Sequence, residues 1–177
     1  MRKAVTMPFK RAGDVIFVLG LTRDELGASL FYRLRARAAA TPDQIGGATP
    51  GLDVHVAKRL YAAMNVAQSR GLVRSCHTPT RGGLAAACCL AAHGGGLGAE
   101  IDLERAPNND VSLDALLFAE SNSRFVTTCA PECAAQFEEV FAGLPCARVG
   151  FVSAEPEVAV RYAGREVFRW REANSAR

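Results

Sequence analysis

The chain has 177 residues, enough for one domain with a single core. Hydrophobic residues make up 49% and charged residues 22%, so there is ample apolar material to bury, and the formal charge is only +3. Basic residues are spread along the chain rather than gathered in a stripe, which argues against a nucleic-acid partner. No apolar run approaches the roughly 18–20 residues that span a bilayer, so a membrane is not expected. The opening "MRKAVTMPFKRAGD" lacks the apolar stretch of a signal peptide, and the expected location is the cytoplasm.

Taken in chain order, "VIFVLG" (15–20) is an apolar, β-branched run and predicts a buried strand. Thr22 and Glu25 have capping-box spacing, predicting a helix from there through Leu26, Leu30 and Leu34 to about Ala40. The segment 41–51 has two prolines and three glycines and reads as a loop. Asp53 then caps a helix with Val56, Leu60, Met64 and Ala67 on one stripe, ending at Arg70-Gly71. "LVRSCH" (72–77) predicts a strand, and 82–92 a helix apolar on every side, hence buried. "GAEIDL" alternates as a strand does, and 112–120 predicts a short helix. "RFVTTCA" is strand-like. Pro131 suits the first turn of a helix running through Phe137 and Phe141 to Gly143. "ARVGFVSA", "EVAVRY" and "EVFRW" read as closing strands, the last two joined by a tight turn at Ala163-Gly164. The expected class is α/β (α+β), a mixed sheet with helices packed on it.

Six cysteines are present: Cys76, Cys88, Cys89, Cys129, Cys133 and Cys146. Their spacing matches neither a disulfide framework nor a zinc site, so free thiols are expected, with Cys88 and Cys89 on the buried helix.

Two polar clusters carry chemistry. The first, "HTPTRGG" (77–83), lies between a strand and a helix. A helix N-terminus presents unpaired N–H groups and partial positive charge. Gly82 and Gly83 leave that backbone open, Thr80 is a candidate N-cap, and Arg74 and Arg81 add cations. That set suits an anion, with phosphate the first choice. Tight packing of strand on helix accounts for the glycines equally well. His77 is a candidate base or phosphate contact, or a structural residue. His55 and His93 read as an exposed helical residue and a dipole partner at a helix end. The second cluster, Ser121, Asn122, Ser123 and Arg124, falls in a loop before a strand, where function concentrates, although a capped helix exit explains it too.

The segments "MPFKRAGDVIFVLGLTRDELGAS", "HTPTRGGLAAA", "GGGLGAEIDL", "ESNSRFVTT" and "ARVGFVSAEPEVAV" together resemble, in order, the C-terminal domain of the AIR synthase-related superfamily. The nearest branch is the phosphoribosylformylglycinamidine synthase family. The resemblance implies a mixed sheet covered by helices, with residues 15–177 as that domain and residues 1–14 as the linker from a preceding one. It also implies ATP and magnesium for the complete enzyme, held mainly by that N-terminal ATP-binding domain; neither is expected in this domain alone. The implied reaction is purine biosynthesis by an ATP-dependent ligase that turns an amide into an amidine, with this domain binding phosphate-bearing substrate or nucleotide. A glutaminase subunit and a homodimer complete the expected partners. His77, Thr78, Thr80, Arg81, Gly82, Gly83, Ser121, Ser123 and Arg124 are the expected binding residues, with no assigned catalytic residue and no metal ligand. Where the synthases carry Asp after the histidine and an acid before Gly-Gly, this chain has Thr78 and Arg81. Thr-Arg-Gly-Gly is closer to the hydrogenase-maturation and selenophosphate-synthetase branches. Threonine is neutral, so metal-linked catalysis through position 78 is not expected. The alternative readings are a non-catalytic binding or assembly module that kept the fold, or a domain of the hydrogenase-maturation or selenophosphate-synthetase branch.

Overall fold

The computed structural model describes residues 4–40 and 46–171. Seven strands form one sheet in the order β2-β4-β1-β5-β3-β6-β7. The strands are β1 (Val15–Leu19), β2 (Ser75–His77), β3 (Gly98–Asp102), β4 (Phe125–Cys129), β5 (Cys146–Ser153), β6 (Glu157–Tyr162) and β7 (Arg165–Arg171). Every neighbouring pair is antiparallel except β3 and β6, so the sheet is mixed, as expected. Alternation along β1 sorts the two cores. Ile16 and Val18 face one way and Phe17 and Leu19 the other, all wholly buried because both faces are covered there.

The helices are α1 (Leu30–Ala38), α2 (Val54–Ser69), α3 (Gly83–Gly95), α4 (Leu113–Phe118) and α5 (Ala134–Val140). α3 and α4 cover the Ile16/Val18 face through Leu84, Cys88, Ala91 and Leu116. α2 and α5 cover the other face over β1, β2 and β4, where Leu60, Phe137 and Phe141 are fully buried. Burial of each such side chain contributes about 1.5–3 kcal/mol. Asp53 caps α2 by accepting from the His55 and Val56 N–H groups, as its sequence position predicts. Ala163 and Gly164 both have positive φ, 49° and 71°, which shapes the β6–β7 hairpin turn.

Three local expectations are corrected. The first helix begins at Leu30 with Ser29 as N-cap, not at Thr22. Thr22 instead bridges to Asn108, and Glu25 accepts from the Gly51 N–H rather than closing a capping box. β2 covers only Ser75–His77 of the expected 72–77. Pro131 opens a 3-10 turn (Pro131–Cys133) that leads into α5, rather than the first turn of the α-helix itself. Residues ahead of β1 pack on the domain: Phe9 is buried against α3, and Thr6 O accepts from the Cys76 N–H beside β2.

All six cysteines are separate thiols; Cys88 is buried on α3 and Cys89 half-buried. No described helix is long and apolar enough to cross a membrane.

Candidate functional site at one edge of the sheet

Antiparallel pairing of β4 with β1 and β2 brings the ends of β1 and β2 to the start of β4. Leu19 pairs with Phe125 and His77 with Val126. The loops that follow or precede those residues therefore meet at one sheet edge, and with them the two polar clusters. The link between the loops runs through Glu120, just ahead of the second cluster: the Gly82 N–H donates to its Oε1 at 2.9 Å. Arg74 is the exception. It lies at the opposite end of β2, where it pairs with the buried Asp14 and reaches Glu132 at 3.7 Å, so it cannot join Arg81. The other Asp14 oxygen is buried without a partner among the described residues, and burial raises the carboxyl pKa.

The turn into α3 is made by Gly82 (φ 82°) and Gly83 (φ 63°). Gly82 is the N-cap residue; Thr80, expected in that role, supplies only its carbonyl, which accepts from the Gly83 N–H at 3.0 Å. A Cβ on Gly83 would stand 2.6 Å from the Phe118 carbonyl carbon and 2.7 Å from Ala119 O. No side chain fits there, so Gly83 is required by the packing of α3 against the exit of α4. Thr78, Thr80 and Arg81 are exposed, and His77 is half-buried. Burial lowers the His77 pKa, favouring neutral imidazole.

The second cluster is mostly frame. Arg124 has no exposure, and its guanidinium donates to Thr22 Oγ1 (2.8 Å), to Ser121 O (3.3 Å) and to Ala119 O. Desolvation lowers its pKa to about 10, offset in part by the charge of Glu25. It stays cationic at neutral pH and ties the loop after β1 to the α4–β4 loop. Ser121 Oγ accepts from the Arg23 N–H at 3.1 Å, and Asn122 Nδ2 donates to Pro50 O and Gly51 O. Ser123, at φ 60°, shares a 2.9 Å hydrogen bond with the Tyr61 hydroxyl. Neither Ser121 nor Arg124 faces solvent.

Sequence reasoning missed Glu120. Its Oε1 accepts from the Leu30 N–H, in the first turn of α1, as well as from Gly82, each at 2.9 Å. A carboxylate at two helix starts is electrostatically favourable, and here the chain supplies its own anion to the α3 N-terminus. On the outer side of the turn, Thr78, Thr80 and Arg81 are left exposed, with His77 half-buried before them. An acid directly after α4, ahead of a polar loop, was the available signal. Its two partners lie 90 and 38 residues away, beyond local patterning.

Among the described residues, no three His, Cys, Asp or Glu side chains are placed to hold a metal ion. The donors at this edge are guanidinium, hydroxyl, imidazole and backbone N–H, a set for anionic oxygens.

Comparison with known proteins gives the family. Residues 11–163 match the model of the family described as AIR synthase related protein, C-terminal domain. The PurL subunit of phosphoribosylformylglycinamidine synthase from Alkaliphilus metalliredigens (strain QYMF) is 37% identical over 130 residues, spanning 73% of this chain and 16% of that protein. T. maritima PurL complexed with ATP superposes with a TM-score of 0.72 at 23% identity, covering 94% of this chain and 26% of that one. E. coli HypE, a hydrogenase maturation protein, gives a TM-score of 0.66 at 21% identity, over 93% of this chain and 51% of that one. The chain thus spans a small part of its PurL relatives and about half of HypE. The family match runs over most of the length, and the chain belongs to the AIR synthase-related C-terminal-domain family.

Proposed function

We propose that this chain serves as the C-terminal domain of a phosphoribosylformylglycinamidine synthase-like, ATP-dependent ligase. Its sheet-edge wall would bind the phosphate of the substrate or nucleotide. The observation that carries the reading is Arg81. It is an exposed cation on the β2–α3 turn, on the same short segment as the exposed Thr78 and Thr80 and the half-buried His77. Arg81 would take phosphate oxygens through its planar fork of donors, and the hydroxyls would complete their hydrogen bonding. Ser123, half-buried on the facing loop, is the second-cluster residue best placed to join them. Gly82, Gly83, Ser121 and Arg124 would hold the wall in position, and neutral His77 would hold a proton on one nitrogen and accept on the other.

ATP, when bound, supplies activation of an amide oxygen ahead of attack by ammonia. This chain's own part is to bind and orient. The donor set does not suit magnesium, which would rest on carboxylates of the preceding ATP-binding domain. Residues 1–14 would be the link from that domain. A glutaminase subunit would provide ammonia, a homodimer is compatible with the reading, and the setting would be cytoplasmic.

One observation favours a second reading, a binding or assembly module without catalysis. Thr78 replaces the acid expected there, and Glu120 already occupies the α3 N-terminus. Titration with inorganic phosphate and with ATP, read at the backbone amides of 78–83, tests the first reading. Shifts at those amides support phosphate binding at the wall. No shift up to about 10 mM, a weak-binding limit of roughly 3 kcal/mol, overturns it.

A further inference from the structure

The sheet is unevenly covered. α2 and α5 shield β1, β2 and β4, while among the described residues the same face of β3, β6, β7 and the far part of β5 has no helix over it. Pairing aligns Glu100 of β3 with Phe151 of β5 and Ala159 of β6 on this open face, and Asp102 with Arg161 one pleat further on. The result is a recess of about 300 Å³. Ala159 leaves it open between larger neighbours, and Phe151 lies at its side, 45% exposed despite its size.

Charge in the recess is incompletely matched. Arg105 donates to Asp102 at 3.1 Å, and Arg148, at the border with α5, donates to Glu138 at 3.3 Å. Arg161 lines the recess, and among the described residues its guanidinium makes no hydrogen bond or ion pair; nor does the Glu100 carboxylate. Asp102 is thus taken by Arg105, and the Arg161 guanidinium across the strand pair has no carboxylate partner among the described residues, which leaves room for an anion beside it. Glu100 is an open acceptor two residues down the strand, roughly 7 Å away. Phe151 stands at the same level as Glu100.

We infer that this recess is a binding site for a small phosphomonoester with a flat, N–H-bearing ring, of which a purine mononucleotide is the simplest example. The phosphate lies against Arg161 and Arg105, the ring stacks on Phe151, and an exocyclic amine donates to Glu100. Stacking supplies ring affinity, and the guanidiniums supply a salt-sensitive anion contact. The site is separate from the sheet-edge wall and does not depend on its function.

The test is a titration of the 177-residue chain with AMP, followed by amide NMR. Inorganic phosphate and adenosine are run separately as the two halves of the ligand. AMP is expected to shift the amides of Glu100, Phe151, Ala159 and Arg161, phosphate to shift only the Arg161 end, and adenosine only the Phe151 end. Phe151→Ala and Arg161→Ala should each weaken AMP at least about fivefold. Both positions are outside the cores, so a matching unfolding midpoint confirms that the variants fold. Shifts confined to 78–83 would overturn this site while leaving the sheet-edge reading standing. No shift at about 10 mM AMP, or affinity unchanged in both folded variants, would also overturn it.

Discussion

Removing the Arg124 side chain gives the sharpest test of how the sheet edge is held together. In Arg124→Ala, Ala119 O, Ser121 O and Thr22 Oγ1 all lose their donor inside a region closed to water. Each buried acceptor left unpaired costs about 1–3 kcal/mol. Part of that is returned, because the wild-type fold bears the desolvation of a buried cation, seen in the lowered arginine pKa. A net loss of roughly 3–5 kcal/mol is expected, a large share of the about 5–15 kcal/mol typical of a domain. For a chain of this size that lowers Tm by about 6–20 °C. Thermal and urea unfolding followed by circular dichroism would measure it. Arg124→Met restores most of the volume without the donors and should recover little, whereas exposed Arg81→Ala should change stability by less than about 0.5 kcal/mol. If Arg124→Ala costs under about 1 kcal/mol, or Met substitutes freely, Arg124 is not the tie proposed here.

Other changes probe different parts of the molecule. Gly83→Ala forces a Cβ against the α4 exit at positive φ and should cost roughly 2–4 kcal/mol, whereas Gly96→Ala, also at positive φ but facing open space, should cost only about 1 kcal/mol by the same unfolding assay. Stability should fall as pH drops below the ordinary histidine value near 6.5. There the unfolded chain binds a proton that half-buried His77 resists, and His77→Gln should flatten that part of the pH–stability curve. Thiol titration without reductant should count six free thiols in denaturant, with Cys88 and Cys129 the slowest to react in the native protein because both are buried. The 177-residue chain alone should show no ATP turnover in a phosphate-release assay, since one anion wall cannot supply activation and ammonia attack together.

Much of the architecture is legible locally. α3 reads as buried because it is apolar all round, and α2 follows from its stripe and the Asp53 cap. The β-branched run of β1 needs no partner to identify it. Thr22 departs from the capping-box expectation because a capping box is a short-range pattern. The Thr22 hydroxyl is instead taken by Arg124, 102 residues away, while Ala28 at φ 57° interrupts the chain just before α1. The site divides the same way. Sequence identifies the polar residues of both loops, but it cannot tell the solvent-facing Thr78, Thr80 and Arg81 from the buried Ser121 and Arg124. That distinction depends on sheet pairing, which also places Glu120 against two helix starts and sends Arg74 to the opposite edge.

Phosphate affinity of Arg81→Ala set beside Arg59→Ala, across a range of salt, tests the central claim most directly. Arg59 is an exposed cation on α2 whose hydrogen bond to Gly143 O lies outside both loops. If Arg81 forms the anion wall, its loss weakens phosphate binding by about tenfold and reduces the salt dependence, while Arg59→Ala leaves both near wild type. Equal effects of the two substitutions would contradict the account, leaving the glycine turn as a packing device and the edge without a phosphate role.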